Sequence, residues 1–327
     1  MQAVTIKPMA PFFIVFNPGS GRDDVAATRT VIETLLTEAG RDYRIMLVED
    51  ASRLPDISAE AVMLAQAQDG VVVAAGGDGT INAVAQAVLG SGCPFGVLPQ
   101  GTFNYFSRTH GIPSDTAKAL QVLLSSRAYP VRAGLVNDRV FLVNASLGLY
   151  PKLLEERETY KQCYGRSRPV AWWAGIMTLL REHRPMRIHV EHEQQAYELR
   201  TLMIFVSNNR LQLERIGLPE AKVLAQGYLV GITLKPVATL TLLRLMLRGA
   251  LGQLGDVDHI ASFAFRQITV MLSPLALFYG RRRIKVAMDG EVTLLTLPLR
   301  FRLAADELFL LKPEAAPGEN PPDPDSR

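Results

Sequence analysis

Apolar and polar positions divide the chain into two textures. Over residues 1–130, short and wholly apolar runs alternate with stretches whose apolar positions recur at helical spacing. Phe12–Phe16 predicts a strand that ends in Asn17-Pro18-Gly19-Ser20-Gly21. Val25–Ala39 predicts a helix with Val31, Ile32, Leu35 and Leu36 on one face. Tyr43–Val48 and Ser58–Ala67 read as the next strand and helix. Val71–Ala75 is apolar throughout, as a strand covered on both faces should be, and it runs into Gly76-Gly77-Asp78-Gly79-Thr80. A helix over Ile81–Leu89 and a strand over Phe95–Leu98 follow, the strand leading to Pro99-Gln100-Gly101-Thr102-Phe103-Asn104. This βαβα rhythm predicts a parallel sheet with helices on both sides.

Beyond residue 130 the period shortens. Val131–Asn144, Met186–His192, Leu199–Ser207, Tyr228–Leu234, Gln267–Leu272, Ile284–Met288 and Val292–Leu297 read as strands, several alternating apolar with polar. Helical stretches interrupt them at Val170–Glu182 and Val237–Leu251. The expected organisation is an α/β domain over 1–130, with 301–312 a candidate to complete it. A β-rich domain follows over 131–300, and a tail over 313–327 too rich in Pro, Glu and Asp to fold.

Composition adds limits. At 327 residues the chain is long enough for two ordinary domains or one large one, and 48% hydrophobic with 20% charged residues is the make-up of a folded globular protein. The net charge is +3, and the tail contributes −3, which leaves +6 on residues 1–312. That mild excess suits a phosphate ligand or an anionic membrane surface and is too weak to point to nucleic acid. Two cysteines, Cys93 and Cys163, cannot make a disulfide framework, so a reducing compartment is expected. No signal-peptide pattern is present, and the longest apolar candidate, Val237–Leu254, is broken by Arg244 and Arg248. The expected location is cytoplasmic, with peripheral contact at the inner membrane face.

Three glycine-bearing loops, Asn17–Gly21, Gly76–Thr80 and Pro99–Asn104, each follow a strand of the predicted parallel sheet. Such loops share one edge of the sheet, where bare main chain and helix N-termini favour phosphate. Taken singly, each is no more than a turn. No Lys-Ser/Thr pair follows the glycines, so none is a P-loop. Asp78 faces polyphosphate only if a divalent cation lies between them; otherwise it caps the helix that follows.

These motifs resemble the catalytic domain of diacylglycerol kinases, sphingosine kinases and related bacterial lipid kinases. Gly76–Asn82, Pro99–Asn104, the early Asn17–Gly21 and the late Asp289-Gly290-Glu291 occur in that family's order and rough spacing. The glycine loop alone is shared with NAD kinases; Pro-x-Gly-Thr-x-Asn makes the match specific. The resemblance implies an α/β nucleotide domain and a β-sandwich lipid-substrate domain, with ATP and Mg²⁺ as cofactors. It implies nucleotide contacts from Asn17, Gly76, Gly77, Asp78, Gly79, Thr80, Asn82, Gly101, Thr102 and Asn104, with Asp78 the metal ligand. It makes Asp78 and Glu291 the catalytic pair, Glu291 being the proton acceptor. By residue pattern alone, Asp289-Gly290 is a hairpin turn. Two departures stand out: Tyr105 where the family has Asp, and Gln226 where relatives carry an Asp and a structural Mg²⁺.

The expected activity is ATP-dependent phosphorylation of a lipid hydroxyl at a membrane surface; a homodimer is compatible with the sequence. The alternatives are an NAD kinase-like enzyme with a soluble substrate, and a non-catalytic nucleotide or lipid sensor. Arg281-Arg282-Arg283 with Lys285 is either a solvated face or a phosphate contact. Trp172-Trp173 reads as core, and His183, His189 and His192 lack metal-ligand spacing.

Overall fold

The computed structural model describes residues 6–7, 9–20, 25–125, 127–152, 154–155, 185–192, 195–250, 259–272 and 282–314. The expected helix Val170–Glu182, with Trp172 and Trp173, lies outside the described residues, as do Gly21, Cys163, His183, Arg281 and the tail from residue 315. The chain divides into two compact units, one from the described residues of 1–133 and 304–327, the other from those of 134–303.

The first unit alternates strand and helix in the order β1 (Phe12–Phe16), α1 (Val25–Glu38), β2 (Tyr43–Leu47), α2 (Leu54–Gln68), β3 (Val71–Gly76) and α3 (Asp78–Val88). It continues with β4 (Pro94–Pro99), a one-turn helix α4 (Tyr105–Thr109), α5 (Thr116–Ser125) and β5 (Arg127–Val131). β1 and β3 are buried along their whole length, which explains why they read as unbroken apolar runs rather than alternating ones. Of the face predicted for α1, Ile32 and Leu36 are buried, with Thr28 completing the stripe; Val31 is exposed. α1 packs with α5, and α2 with α3.

The second unit runs β6 (Gly134–Val136), β7 (Arg139–Phe141), β8 (Asn144–Gly148), β9 (Met186–His192), β10 (Gln195–Thr201), β11 (Met203–Ser207) and α6 (Arg210–Arg215). It then runs β12 (Leu229–Leu234), α7 (Thr239–Ala250), β13 (Ile260–Phe265), β14 (Gln267–Leu272), β15 (Arg283–Met288), β16 (Glu291–Thr296) and β17 (Leu299–Leu303). Its strands form two antiparallel sheets of order β10-β9-β14-β17-β6-β7 and β13-β12-β11-β8-β15-β16. Val190, Val270 and Phe301 of one sheet share a core with Leu147, Val206 and Val286 of the other, which makes the unit a β-sandwich.

β18 (Leu308–Lys312) returns to the first unit. It lies between β4, to which it is parallel, and β5, to which it is antiparallel, in the order β2-β1-β3-β4-β18-β5. The sheet is therefore parallel except at its last pair.

Two expected strands are corrected. Val131–Asn144 is not continuous: Asn137 at φ 55° turns the chain between β6 and β7. Leu199–Ser207 breaks at Leu202, whose N–H bonds Leu234 O at 2.8 Å, and β10 and β11 belong to different sheets.

Candidate active site

The three glycine loops follow β1, β3 and β4, which are hydrogen-bonded neighbours in the order β1-β3-β4, so their C-terminal ends lie side by side. Side chains then tie the loops together. Asn17 Nδ2 donates to Thr80 Oγ1 at 2.9 Å, while Asn17 Oδ1 accepts the N–H of Gly19 at 3.1 Å. Thr80, buried at the start of α3, thus fixes the amide that shapes the first loop.

Asp78 is not a cap. Gly77 occupies the N-cap with extended backbone, and Asp78 is the first helical residue, where its charge meets the positive end of the helix dipole. Asp78 Oδ2 accepts the main-chain N–H of Asn104 at 3.2 Å, which joins the second loop to the third. Asn104 is buried and left-handed at φ 48°, a conformation Asn tolerates better than most residues. Its side chain clamps its own loop: Oδ1 accepts from Gly101 N, and Nδ2 donates to Gly101 O, each at 3.0 Å. Gly101 cannot be replaced quietly, since a Cβ there would lie 2.8 Å from Asn104 Oδ1 and 3.1 Å from Gly77 Cα. The glycine lets two loops touch.

Asn17, Gly76, Gly77, Asp78, Gly79, Thr80, Gly101 and Asn104 are therefore brought together, with Thr102 exposed beside Gly101 and half-buried Asn82 further along α3. Tyr105 begins α4 and stacks on Phe103 with ring centroids 5.9 Å apart. Among the described residues no three His, Cys, Asp or Glu side chains cluster to hold a metal. The Asp78 carboxylate fits Mg²⁺ shared with phosphate oxygens, the usual habit of that ion, and the main-chain N–H groups fit the phosphate itself. Gln226 is exposed at the end of a 3₁₀ turn, followed by Gly227 at φ 84°.

Glu291 belongs to the second unit, as the first residue of β16. Asp289 (φ 48°) and Gly290 (φ 94°) form the two-residue turn between β15 and β16, both left-handed as a type I′ turn requires. Glu291 is exposed over much of its surface, yet packed protein around its carboxylate raises its pKa, and the Asp289 charge raises it further. The carboxylate of Asp289 accepts three main-chain N–H groups, from Leu142 (2.7 Å), Val143 (2.9 Å) and Asn144 (2.9 Å). Pattern reading sees in Asp289 a turn residue only; its partners are 145 to 147 positions away. Of the basic run, Arg282 and Arg283 are exposed and Lys285 pairs with Glu155 at 2.7 Å.

Comparison with known proteins bears out the family resemblance. Residues 11–136 match the model of the diacylglycerol kinase catalytic domain. A diacylglycerol kinase of Staphylococcus saprophyticus is 25% identical over 253 residues, covering 76% of this chain and 77% of that protein. One from Staphylococcus aureus is 26% identical over 253 residues, covering 76% and 74%. A crystal structure of a diacylglycerol kinase from Bacillus anthracis matches with a TM-score of 0.66 at 19% identity, covering 93% of this chain and 97% of that one, and shares the fold.

Proposed function

We propose that this chain, whose residues 11–136 match the diacylglycerol kinase catalytic domain, is an ATP-dependent lipid kinase that phosphorylates the hydroxyl of diacylglycerol or a related lipid. One observation carries it: Asn17, Asp78 and Asn104 are cross-linked around the N-terminus of α3 at the ends of three neighbouring strands. The first turn of that helix presents main-chain N–H groups and a positive dipole end, a natural seat for polyphosphate. The glycines keep side chains out of the way, and Thr102 adds a hydroxyl at the rim. Asp78 would hold Mg²⁺, which when bound neutralises charge on the transferring phosphoryl group.

Glu291 takes the proton of the lipid alcohol as the new bond forms. Its raised pKa brings it closer to the working pH, which favours proton uptake late in the transfer. Leu242 and Leu245 of α7 pack inward, as in an ordinary amphipathic helix, and what α7 offers an anionic membrane surface is the pair of exposed charges Arg244 and Arg248, one turn apart. Among the described residues no helix is long and apolar enough to cross a membrane.

The test is transfer of label from γ-labelled ATP, with Mg²⁺, into a dispersed extract of membrane lipids, the product being identified by mass spectrometry. Label should enter the lipid phase and disappear on chelation, while NAD offered as acceptor stays unlabelled. Tight nucleotide binding with no transfer to any lipid would replace this function with that of a sensor.

A further inference from the structure

We propose that Asp289 is a positioning residue: gripped by three consecutive main-chain N–H groups, it holds the turn from which Glu291 projects and leaves Glu291 to exchange the proton. This rests on the lipid-kinase function above. β16 is the edge strand of its sheet, with β15 as its neighbour. The pairing of β15 with β8 reaches Met288 opposite Ala145, and the turn lies beyond it. A two-residue turn fixes the twist of its own hairpin but not the place of the hairpin's tip on the sheet.

Asp289 supplies what the ladder lacks. Its N–H bonds Asn144 O at 3.0 Å, its Oδ1 accepts Val143 and Asn144, and its Oδ2 accepts Leu142. The donors are themselves held: Leu142, Val143 and Asn144 are buried, Asn208 N–H bonds Val143 O at 2.9 Å, and Asn144 Nδ2 donates to Gln212 Oε1 at 3.2 Å. A chain of bonds thus runs from α6 through Asn144 and Asp289 to the tip. A proton taken up by Asp289 would compete with these bonds, so the carboxylate serves as an acceptor of structure rather than of substrate protons.

Within the hairpin and β8, the charged groups near Glu291 are Asp289, Arg283 and Lys285. Glu291 pairs with Met288, and by strand alternation Arg283 and Lys285 point to the other face, Lys285 toward Glu155. Among the described residues of the hairpin and β8, Asp289 is therefore the charge that raises the pKa of Glu291 further, after burial.

The experiment uses the full chain and its Asp289→Asn and Glu291→Gln variants, with lipid phosphorylation measured against pH and amide hydrogen exchange measured at residues 142–144. Asp289→Asn should speed exchange at those amides and lower kcat by about 100-fold, the scale of a misplaced catalytic group, with the nucleotide KM unchanged. Its acid limb should move to lower pH, because losing a neighbouring negative charge lets Glu291 ionise sooner. Unchanged exchange at 142–144, or an acid limb that stays in place, overturns the assignment. So does an inactive Asp289→Asn beside an active Glu291→Gln, which would make Asp289 the base. Carboxyl NMR of the wild type tests the same point without a variant: Glu291 should titrate above the ordinary glutamate range, and a value below it refutes the role given to the Asp289 charge. If the wild type phosphorylates no lipid, the kinase function fails, while exchange and NMR still decide the fate of the latch.

Discussion

Two aspartates next to glycines are held in opposite ways by the two units. Asp78 stands at the head of an eleven-residue helix, where the main chain favours an anion, and receives the N–H of Asn104 from a neighbouring loop. Asp289 sits in a left-handed turn and receives three N–H groups from one buried segment. The first arrangement puts a negative charge where phosphate is also favoured, which is electrostatically sensible when a cation is shared between them. The second spends the charge on fixing a backbone. A carboxylate's role follows from who donates to it, not from the glycines beside it.

The sharpest way to break this contrast is Asp78→Ala. Losing this carboxylate should cut lipid phosphorylation by about 1,000-fold, the upper range for removing one electrostatic stabiliser, with circular dichroism unchanged. Glu291→Gln should cost about 100-fold, as for loss of a general base. It should also remove the acid limb of the rate profile, which in the wild type lies above the ordinary glutamate range because the pKa of Glu291 is raised. The linkage has a definite sign. A carboxyl with a raised folded-state pKa favours the fold below its unfolded pKa and loses that contribution as pH rises through the folded value, so Glu291→Gln should raise Tm at neutral pH.

Two glycine substitutions sharpen the contrast further. Gly101→Ala forces a Cβ to 3.1 Å from Gly77 Cα, so it should weaken nucleotide binding about tenfold in a titration and destabilise by about 1–3 kcal/mol, as overpacking does. Gly290→Ala meets nothing within 4 Å, and its cost is only the left-handed backbone at φ 94°, about 1 kcal/mol in a denaturant melt.

The first unit was largely legible because its signals are local. An apolar run, a glycine loop and an amphipathic helix each declare themselves within fifteen residues, and the strands of β9 and β14 were readable for the same reason. What escaped depends on distant partners. Nothing at Leu202 signals that the chain leaves one sheet for another, because the sequence from Leu199 to Ser207 holds no glycine, proline, asparagine or aspartate. The break at Asn137-Asp138 carries a local turn signal, and the alternation of Leu299-Arg300-Phe301-Arg302-Leu303 is the period-two pattern of β17. Asp289 read as a turn because the amides that bind it lie far upstream. The link from Asp78 to Asn104 was equally hidden, since it depends on two loops meeting at a sheet edge.

β18 has a further consequence for how the protein is made. During synthesis β4 and β5 emerge early, yet the strand that belongs between them is not translated until the whole second unit has been. The first unit must therefore wait with an open seam in its sheet. A fragment ending near residue 133 would keep that seam permanently, exposing the backbone edges of β4 and β5 to other chains.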